Sequence, residues 1–214
     1  MNKKLCSLAV SALFALASAP ALAGLTFTFS EVGNNVTMTS SGSIDTNQLV
    51  LQNSASSWGG TGIQYYGNTS IMGGTSVGSI DISFGFHNGT DYSAWSSSGL
   101  WDTFWLGVSS IDSGSKGFAT YIWDSVITPG LGVERADLVN GLWSPDQNWT
   151  FANTNFASLG LVSGTYTVTD AVSGEFISYQ IGESANNIPE PASLALIGLG
   201  LAGLGFSRRK TKSN

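Results

Sequence analysis

The stretch that decides the fold is Ile80-Asp81-Ile82-Ser83-Phe84-Gly85-Phe86-His87. Large apolar residues alternate in it with polar or small ones. A period of two puts all four apolar side chains on one face of a β-strand. The pattern therefore predicts a strand that is half-buried against a core.

The same period recurs on both sides of this stretch. Leu25, Phe27 and Phe29 alternate with Thr26, Thr28 and Ser30, and Gly33-Asn34-Asn35 then predicts a turn into a second strand at residues 36–39. A second hairpin is predicted at 165–181, around the polar loop 170–174. Further strands are predicted at 49–51, 104–108 and 118–123.

Helical signals are few, at residues 135–139 and 155–159. Many short strands separated by Gly-rich turns are typical of two packed antiparallel sheets. We therefore expect an all-β protein whose one domain, residues 24–187, is an antiparallel β-sandwich, jelly-roll-like in outline.

The charge of this domain is strongly acidic. Residues 24–187 hold thirteen Asp and Glu but only two basic residues, Lys116 and Arg135, so their net charge is −11. Such a surface repels phosphate backbones, which argues against nucleic acid as a partner. Trp, Phe, Tyr, Ile and Val are plentiful, which argues against disorder.

Both ends of the chain carry an apolar segment beside basic residues. Lys3-Lys4, the apolar residues 5–19 and the cleavage-type sequence Ala21-Leu22-Ala23 predict a secretory signal peptide over residues 1–23, with Ala21 and Ala23 as its cleavage signal. Cys6, the one cysteine, lies inside it, so the mature domain has no disulfide and no thiolate metal site.

At the other end, Pro189-Glu190-Pro191 precedes the apolar run 192–206 and the basic cluster Arg208-Arg209-Lys210. Fifteen helical residues reach roughly 22 Å, which is short for a bilayer core of about 30 Å. Flanking Arg and Lys side chains that reach for the interface can close that gap. We therefore predict a transmembrane helix at 192–206 and a stop-transfer signal at Arg208, Arg209 and Lys210.

This three-part tail, residues 188–214, resembles the PEP-CTERM sorting signal. Ile188 stands where valine is more usual. The resemblance implies that an exosortase is the processing partner, that Pro189, Glu190 and Pro191 are the sorting motif, and that the inner membrane holds the chain before cleavage. It also implies delivery to the cell surface, outer membrane or extracellular polysaccharide matrix of a Gram-negative bacterium. The closing strands near 156–166 are similar to those of other small β-rich domains that precede this tail.

The seven tryptophans are the clearest hint to the role of the domain. Most tryptophans pack in a core, but exposed ones stack on sugar rings. Trp58, Trp95 and Trp143 have loop-like surroundings, so they are the candidates for sugar stacking.

Catalytic signals are weak. His87 is the one histidine, and Ser83 lies about 13 Å from it along the strand, so a catalytic partner would have to come from another strand. Gly74-Thr75-Ser76-Val77-Gly78 has the letters of a nucleophile elbow but leads into a strand rather than a helix. We predict no catalytic residue, no cofactor and no zinc site, although recurring Asp residues leave calcium binding open.

These observations predict an exported, exosortase-processed surface or matrix protein that is not an enzyme. Its mature domain is expected to be structural or adhesive. The alternatives are a carbohydrate-binding module for exopolysaccharide and a secreted hydrolase.

Overall fold

β-Strands dominate the computed structural model, which describes residues 24–52, 60–66, 69–74, 80–96, 100–101, 105–123 and 127–182. The predicted signal peptide and sorting tail lie outside these residues. The strands, in chain order, are β1 (Gly24–Val32), β2 (Asn35–Gly42), β3 (Ile44–Asp45), β4 (Val50–Gln52), β5 (Thr61–Tyr66), β6 (Thr69–Gly74), β7 (Ile82–Gly85), β8 (Leu106–Gly107), β9 (Ser110–Ser113), β10 (Phe118–Trp123), β11 (Ile127–Val133), β12 (Leu142–Trp143), β13 (Asn148–Phe151), β14 (Gly164–Thr169) and β15 (Phe176–Ile181).

Short helical turns join some of these strands. They are α1 (Ser93–Ser96), α2 (Phe156–Leu159) and the 3-10 turns Thr46–Gln48 and Arg135–Asp137. Asn155 caps α2 by accepting a hydrogen bond from the Ser158 N–H, and Gly160 ends it in a left-handed conformation, a common way to close a helix. No helix among the described residues is long and apolar enough to cross a membrane.

Two large sheets account for most strands. One has six strands in the order β14-β15-β1-β2-β13-β9, and the other has seven in the order β4-β7-β11-β10-β6-β5-β8. β3 and β12 form a small separate pair. The protein is therefore all-β, with mainly antiparallel sheets.

Both large sheets contribute to the buried core. Phe27 of β1 stacks on Phe118 of β10, with ring centroids 5.3 Å apart, and Phe118 also stacks on Trp149 of β13 at 5.8 Å. Tyr179 of β15 is fully buried and its hydroxyl is hydrogen-bonded to Thr120 of β10. Burial in this apolar environment raises the pKa of Tyr179.

Most strand predictions are confirmed. Strands β1 and β2 form the expected hairpin, and their buried residues alternate as the sequence indicates. The hairpin of β14 and β15 and the strand β10 also appear at the predicted residues. The helical signals become the turn Arg135–Asp137 and α2.

Two details of the prediction are wrong. Strand β1 pairs with β15 in parallel, so the six-stranded sheet is not wholly antiparallel. The stretch around Phe84 is buried on both faces, not half-buried, because Ser83 is as inaccessible as its apolar neighbours. Alternation shows which face carries the large side chains, but small residues such as Ser83 and Gly85 also allow the second face to be covered closely.

Candidate functional site

A histidine–aspartate pair joins the two sheets at one end of the core. His87 follows β7 of the seven-stranded sheet, and Asp170 directly follows β14 of the six-stranded sheet. The His87 Nδ1 atom lies 3.0 Å from Asp170 Oδ1, and the His87 backbone N–H donates to Asp170 Oδ2 at 2.5 Å. Asp170 is buried, whereas the His87 side chain is 32% exposed.

Hydrogen bonds keep the Asp170 carboxylate charged in spite of its burial. Desolvation acts to raise its pKa, but the N–H groups of Ser173, His87 and Val172 and the Ser173 hydroxyl together outweigh it, and the pKa of Asp170 is lowered from 3.8 to about 2. Ser173 N and Val172 N donate to Oδ1 at 2.7 and 3.0 Å. Asp170 therefore closes the loop of the β14–β15 hairpin and fixes the end of β7 to it.

A histidine oriented by a buried aspartate is also part of hydrolytic triads, which add a serine hydroxyl at the other ring nitrogen. Among the described residues, no Ser or Thr hydroxyl is hydrogen-bonded to the His87 ring. Ser83 is buried within its strand, and Ser76 lies outside the described residues. The His87–Asp170 pair thus has the geometry of two members of such a triad, and it also links the two large sheets.

Glu175 lies on the other side of the same hairpin loop. It is buried and accepts a hydrogen bond from the Asp45 backbone N–H at 3.0 Å. Burial raises the pKa of Glu175, and the Asp45 and Asp170 carboxylates raise it further, although the hydrogen bond from the Asp45 N–H lowers it. In the described part of the chain, no three His, Cys, Asp or Glu side chains form a group that could hold a metal ion.

The other recurring aspartates accept hydrogen bonds, Asp91 within a local turn and Asp81 and Asp112 from distant segments of the chain. Asp81 accepts a hydrogen bond from the Arg135 N–H at 2.6 Å, and Asp91 accepts one from the Ser93 N–H at 2.9 Å. Asp102 and Asp124 lie outside the described residues. The Asp91 contact matches the ordinary use of aspartate in turns, whereas the Asp81 contact links two distant segments.

The tryptophans chosen for sugar stacking are not placed as predicted. Trp95 and Trp143 are 1% and 0% exposed, so neither indole face is open to a sugar ring. Trp95 packs against Tyr179 at 4.9 Å and donates its ring N–H to the Tyr166 carbonyl. Their loop-like sequence surroundings misled the prediction, because Trp95 lies in the short helix α1 and Trp143 in strand β12, and both rings are packed into the core. Trp58 lies outside the described residues.

Trp105, which the sequence did not single out, is 43% exposed. It precedes β8, an edge strand of the seven-stranded sheet. A Cβ atom at Gly60 would come within 3.0 Å of the Trp105 ring, so the absence of a side chain at Gly60 lets the indole lie against that backbone. This is an aromatic surface of the kind that can stack on a sugar.

A shallow polar pocket of about 460 Å³ lies where β1, β2 and β13 end. Glu31 accepts the Phe156 N–H at 2.7 Å, and Asn34 accepts the Thr154 N–H at 2.8 Å through its backbone carbonyl. The pocket lining consists of carboxylate, amide and hydroxyl groups, from Glu31, Asn34, Asn153, Thr154, Asn155 and Ser158. Its chemistry suits a small hydroxylated ligand.

The remaining predicted site residues lie outside the described part of the chain. They are Ala21 and Ala23 of the signal cleavage site, Pro189, Glu190 and Pro191 of the sorting motif, and Arg208, Arg209 and Lys210 of the stop-transfer signal.

Comparison with known proteins bears on these terminal residues. A family model described as the PEP-CTERM protein-sorting motif matches residues 187–210. No curated protein and no solved structure matches the chain. The chain therefore carries a PEP-CTERM protein-sorting motif, the mark of a protein that passes a membrane and is processed at the cell envelope by an exosortase.

Proposed function

We propose that the protein is exported by a signal peptide at residues 1–23 and cut near Pro189-Glu190-Pro191 by an exosortase. The mature domain, residues 24–187, then goes to the cell surface or extracellular polysaccharide matrix of a Gram-negative bacterium. The observation that carries the proposal is the sorting motif at residues 187–210. Before cleavage, residues 192–206 hold the chain in the inner membrane, and the basic cluster after them stops transfer.

The mature domain is proposed to be a structural or adhesive β-sandwich, jelly-roll-like in outline, and not an enzyme. The ring contacts of Phe118 with Phe27 and Trp149 support the sandwich, because they join β10 of one large sheet to β1 and β13 of the other. The His87–Asp170 pair supports a structural role for that histidine, since it ties the two sheets together.

A carbohydrate-binding module for exopolysaccharide is the second candidate. The exposed indole of Trp105 and the polar pocket beside Glu31 favour it. Both offer what sugar sites use, an aromatic surface and a small set of hydrogen-bonding groups.

The test of sorting is the intact mass of the protein recovered from surface and matrix fractions of its host. The wild-type chain is expected to begin at Gly24 and end near residues 189–191, with the mass of any attached anchor. Glu190→Ala is expected to leave the chain uncut at the tail and in the membrane fraction. Glu183→Ala, which changes another glutamate shortly before the motif, is the matched control and should be processed like the wild type.

A wild-type chain that still ends at Asn214 in every fraction would refute exosortase sorting. The tail would then be a plain membrane anchor, and the domain would act at the inner membrane.

A further inference from the structure

The outer face of the six-stranded sheet is made almost entirely of hydroxyl and amide side chains. Apolar residues of β1, β2, β13, β14 and β15 point into the core, and the alternate residues point away from it. The residues that point away are Thr26, Thr28, Ser30, Val32, Asn35, Thr37, Thr39, Ser41, Ser110, Asp112, Asn148, Thr150, Thr165, Thr167, Thr169, Phe176, Ser178 and Gln180. We call this set the hydroxyl face. Val32, at the end of β1, is 57% exposed, whereas Ser178 is only 3% exposed because its neighbours cover it.

Strand register arranges the hydroxyl face in rows across the sheet. The longest row runs across five strands through Thr165, Gln180, Thr28, Thr39 and Asn148. A second row contains Thr167, Ser178, Thr26 and Ser41, and a third contains Ser30, Thr37, Thr150 and Ser110. Neighbours in a row are about 4.8 Å apart, and successive rows are about 6.7 Å apart.

This surface differs from the rest of the domain in charge. Residues 24–187 carry thirteen acids, yet the one carboxylate on the hydroxyl face is Asp112, on the edge strand β9. Asp112 accepts hydrogen bonds from Ser110 and Thr150. The single aromatic ring is that of Phe176, at one corner, where Gly24 leaves room for it. The face therefore offers neither an apolar patch nor a charged one.

Several hydroxyls of this surface are available for binding. Thr39, Ser41, Thr165 and Thr169 are exposed, and their hydroxyls form no hydrogen bond within the described residues. Threonine is β-branched and stiff at χ1, so little side-chain freedom is lost when such a hydroxyl engages a ligand. The sheet thus presents ordered donors and acceptors at regular spacing.

We propose that the hydroxyl face binds a neutral, hydroxyl-rich polysaccharide chain laid along its rows. The inference rests on the carbohydrate-binding alternative above and names its site. A neutral polymer matches a surface without charge, and it escapes the repulsion that an anionic one would meet from this acidic domain. Single hydroxyl contacts are weak, but a repeating chain engages many of them together.

The twist of the sheet favours a flexible polymer as the ligand of the hydroxyl face over a rigid planar surface such as that of an ice crystal. Adjacent strands rotate by roughly 20–25°, so six strands cannot match a flat lattice over their whole width. A polysaccharide that follows one or two rows adapts to this twist.

The experiment is affinity electrophoresis of the protein recovered from its host, in native gels that contain dextran, amylose or mixed-linkage β-glucan. The test variant is Thr39→Val with Thr165→Val, which removes two unengaged hydroxyls of the longest row and keeps β-branched shapes suited to strands. Thr61→Val on β5 of the other sheet is the matched control. Thermal unfolding of each variant checks that it is folded.

If the proposal holds, at least one neutral polysaccharide retards the wild-type protein. The double variant then binds more weakly, by roughly two- to tenfold for each hydroxyl removed. Thr61→Val is expected to bind like the wild type. An equal loss in Thr61→Val would count against the hydroxyl face.

Other outcomes separate the site from the function. Binding that is lost in Trp105→Ala and kept in the double variant would overturn the hydroxyl face but leave a carbohydrate-binding domain. A wild-type protein that no neutral polysaccharide retards, or that instead adsorbs to ice, would overturn both. Neither result would touch the sorting of the chain, which the mass measurement tests.

Discussion

At the scale of single residues, Asp170 shows how a buried charge can stabilise a fold. A carboxylate taken out of water is destabilised unless hydrogen bonds replace its hydration. Asp170 receives them from the N–H groups of His87, Val172 and Ser173 and from the Ser173 hydroxyl. One side chain thereby closes a hairpin loop and attaches the end of a strand from the other sheet.

Replacing Asp170 with asparagine is expected to destabilise the protein in a pH-dependent way. The folded-state pKa of about 2 lies below the ordinary 3.8, so the ionised carboxylate stabilises the fold fully above about pH 5 and loses that effect as the pH falls through 2. Asp170→Asn should lower the free energy of unfolding at pH 7 by roughly 2 kcal/mol. Urea unfolding at pH 7 and at pH 2, followed by tryptophan fluorescence, measures the change.

The difference between wild type and Asp170→Asn should shrink at pH 2, because the wild-type carboxyl is then partly protonated. Asp91→Asn is the control, since exposed Asp91 caps only a local turn. A difference that stayed the same at both pH values would show that the carboxylate charge is not what stabilises this loop.

Tryptophan placement shows the limit of reasoning from single residues. Trp95 and Trp143 share Gly- and Ser-rich surroundings with exposed loops, yet they are buried, while Trp105 is exposed beside Gly60. A large apolar side chain is buried only if another part of the fold covers it. That covering comes from residues far along the chain, such as Tyr166 and Tyr179 for Trp95.

At the scale of elements, the β1–β2 hairpin depends on two glycines that have different surroundings. Gly33 in the turn has a φ of +61°, and a Cβ atom added there would meet nothing within 4 Å. Gly42, at the end of β2, has a φ of +88°, and a Cβ there would lie 2.0 Å from the Gly24 carbonyl oxygen. Gly33 is thus required for its backbone angle alone, and Gly42 also for close strand contact.

We expect Gly42→Ala to be clearly more destabilising than Gly33→Ala. A left-handed conformation costs an alanine about 1–2 kcal/mol at either position. At Gly42 the strands must also move apart, which raises the expected total to roughly 3 kcal/mol or more. Chemical denaturation of the two variants beside the wild type gives both values.

Gly33→Ala serves as the matched control for the backbone angle. Equal losses of stability in the two variants would mean that β1 and β2 separate easily at this end, against the close contact of Gly42 with Gly24.

Hairpin prediction succeeded because turns and alternation are local. The turn residues after Val32 and the period of two in β1 and β2 follow from backbone geometry within a few residues. The parallel pairing of β1 with β15 could not be predicted in this way. It joins the two ends of the described domain, and no local pattern records the direction of a distant partner.

At the scale of the whole molecule, like charges repel one another across an acidic surface. Residues 24–187 have a net charge of −11. Among the described residues, the one contact between a basic and an acidic side chain at ion-pair distance is that of His87 with Asp170, and it is an ion pair only when the imidazole is protonated. Lys116, one of two basic residues in the domain, donates instead to the Ser144 carbonyl at 2.8 Å. Attractive pairs therefore do little to offset the repulsion.

Added salt is expected to raise the thermal stability of the protein. The screening length falls from about 30 Å at 0.01 M to about 3 Å at 1 M salt, which weakens repulsion between surface carboxylates. The melting temperature in 0.5 M sodium chloride should exceed that in 0.01 M. Circular dichroism at 215–220 nm, where strands absorb, follows the transition.

Sucrose at matched solution osmolality controls for effects unrelated to charge. A melting temperature that falls with sodium chloride would show that net attraction, not repulsion, governs the surface of this domain.

The sequence by itself determined the strand periodicity, both hairpins, the acidic balance and the sorting tail, because each is written in neighbouring residues. Tertiary structure alone decided the parallel pairing of β1 with β15, the pairing of His87 with Asp170, the burial of Trp95 and Trp143 and the rows of the hydroxyl face. The reason is physical. Side-chain alternation follows from local backbone geometry, whereas register and burial come from the joint packing of segments that lie far apart along the chain, such as His87 and Asp170, 83 residues apart.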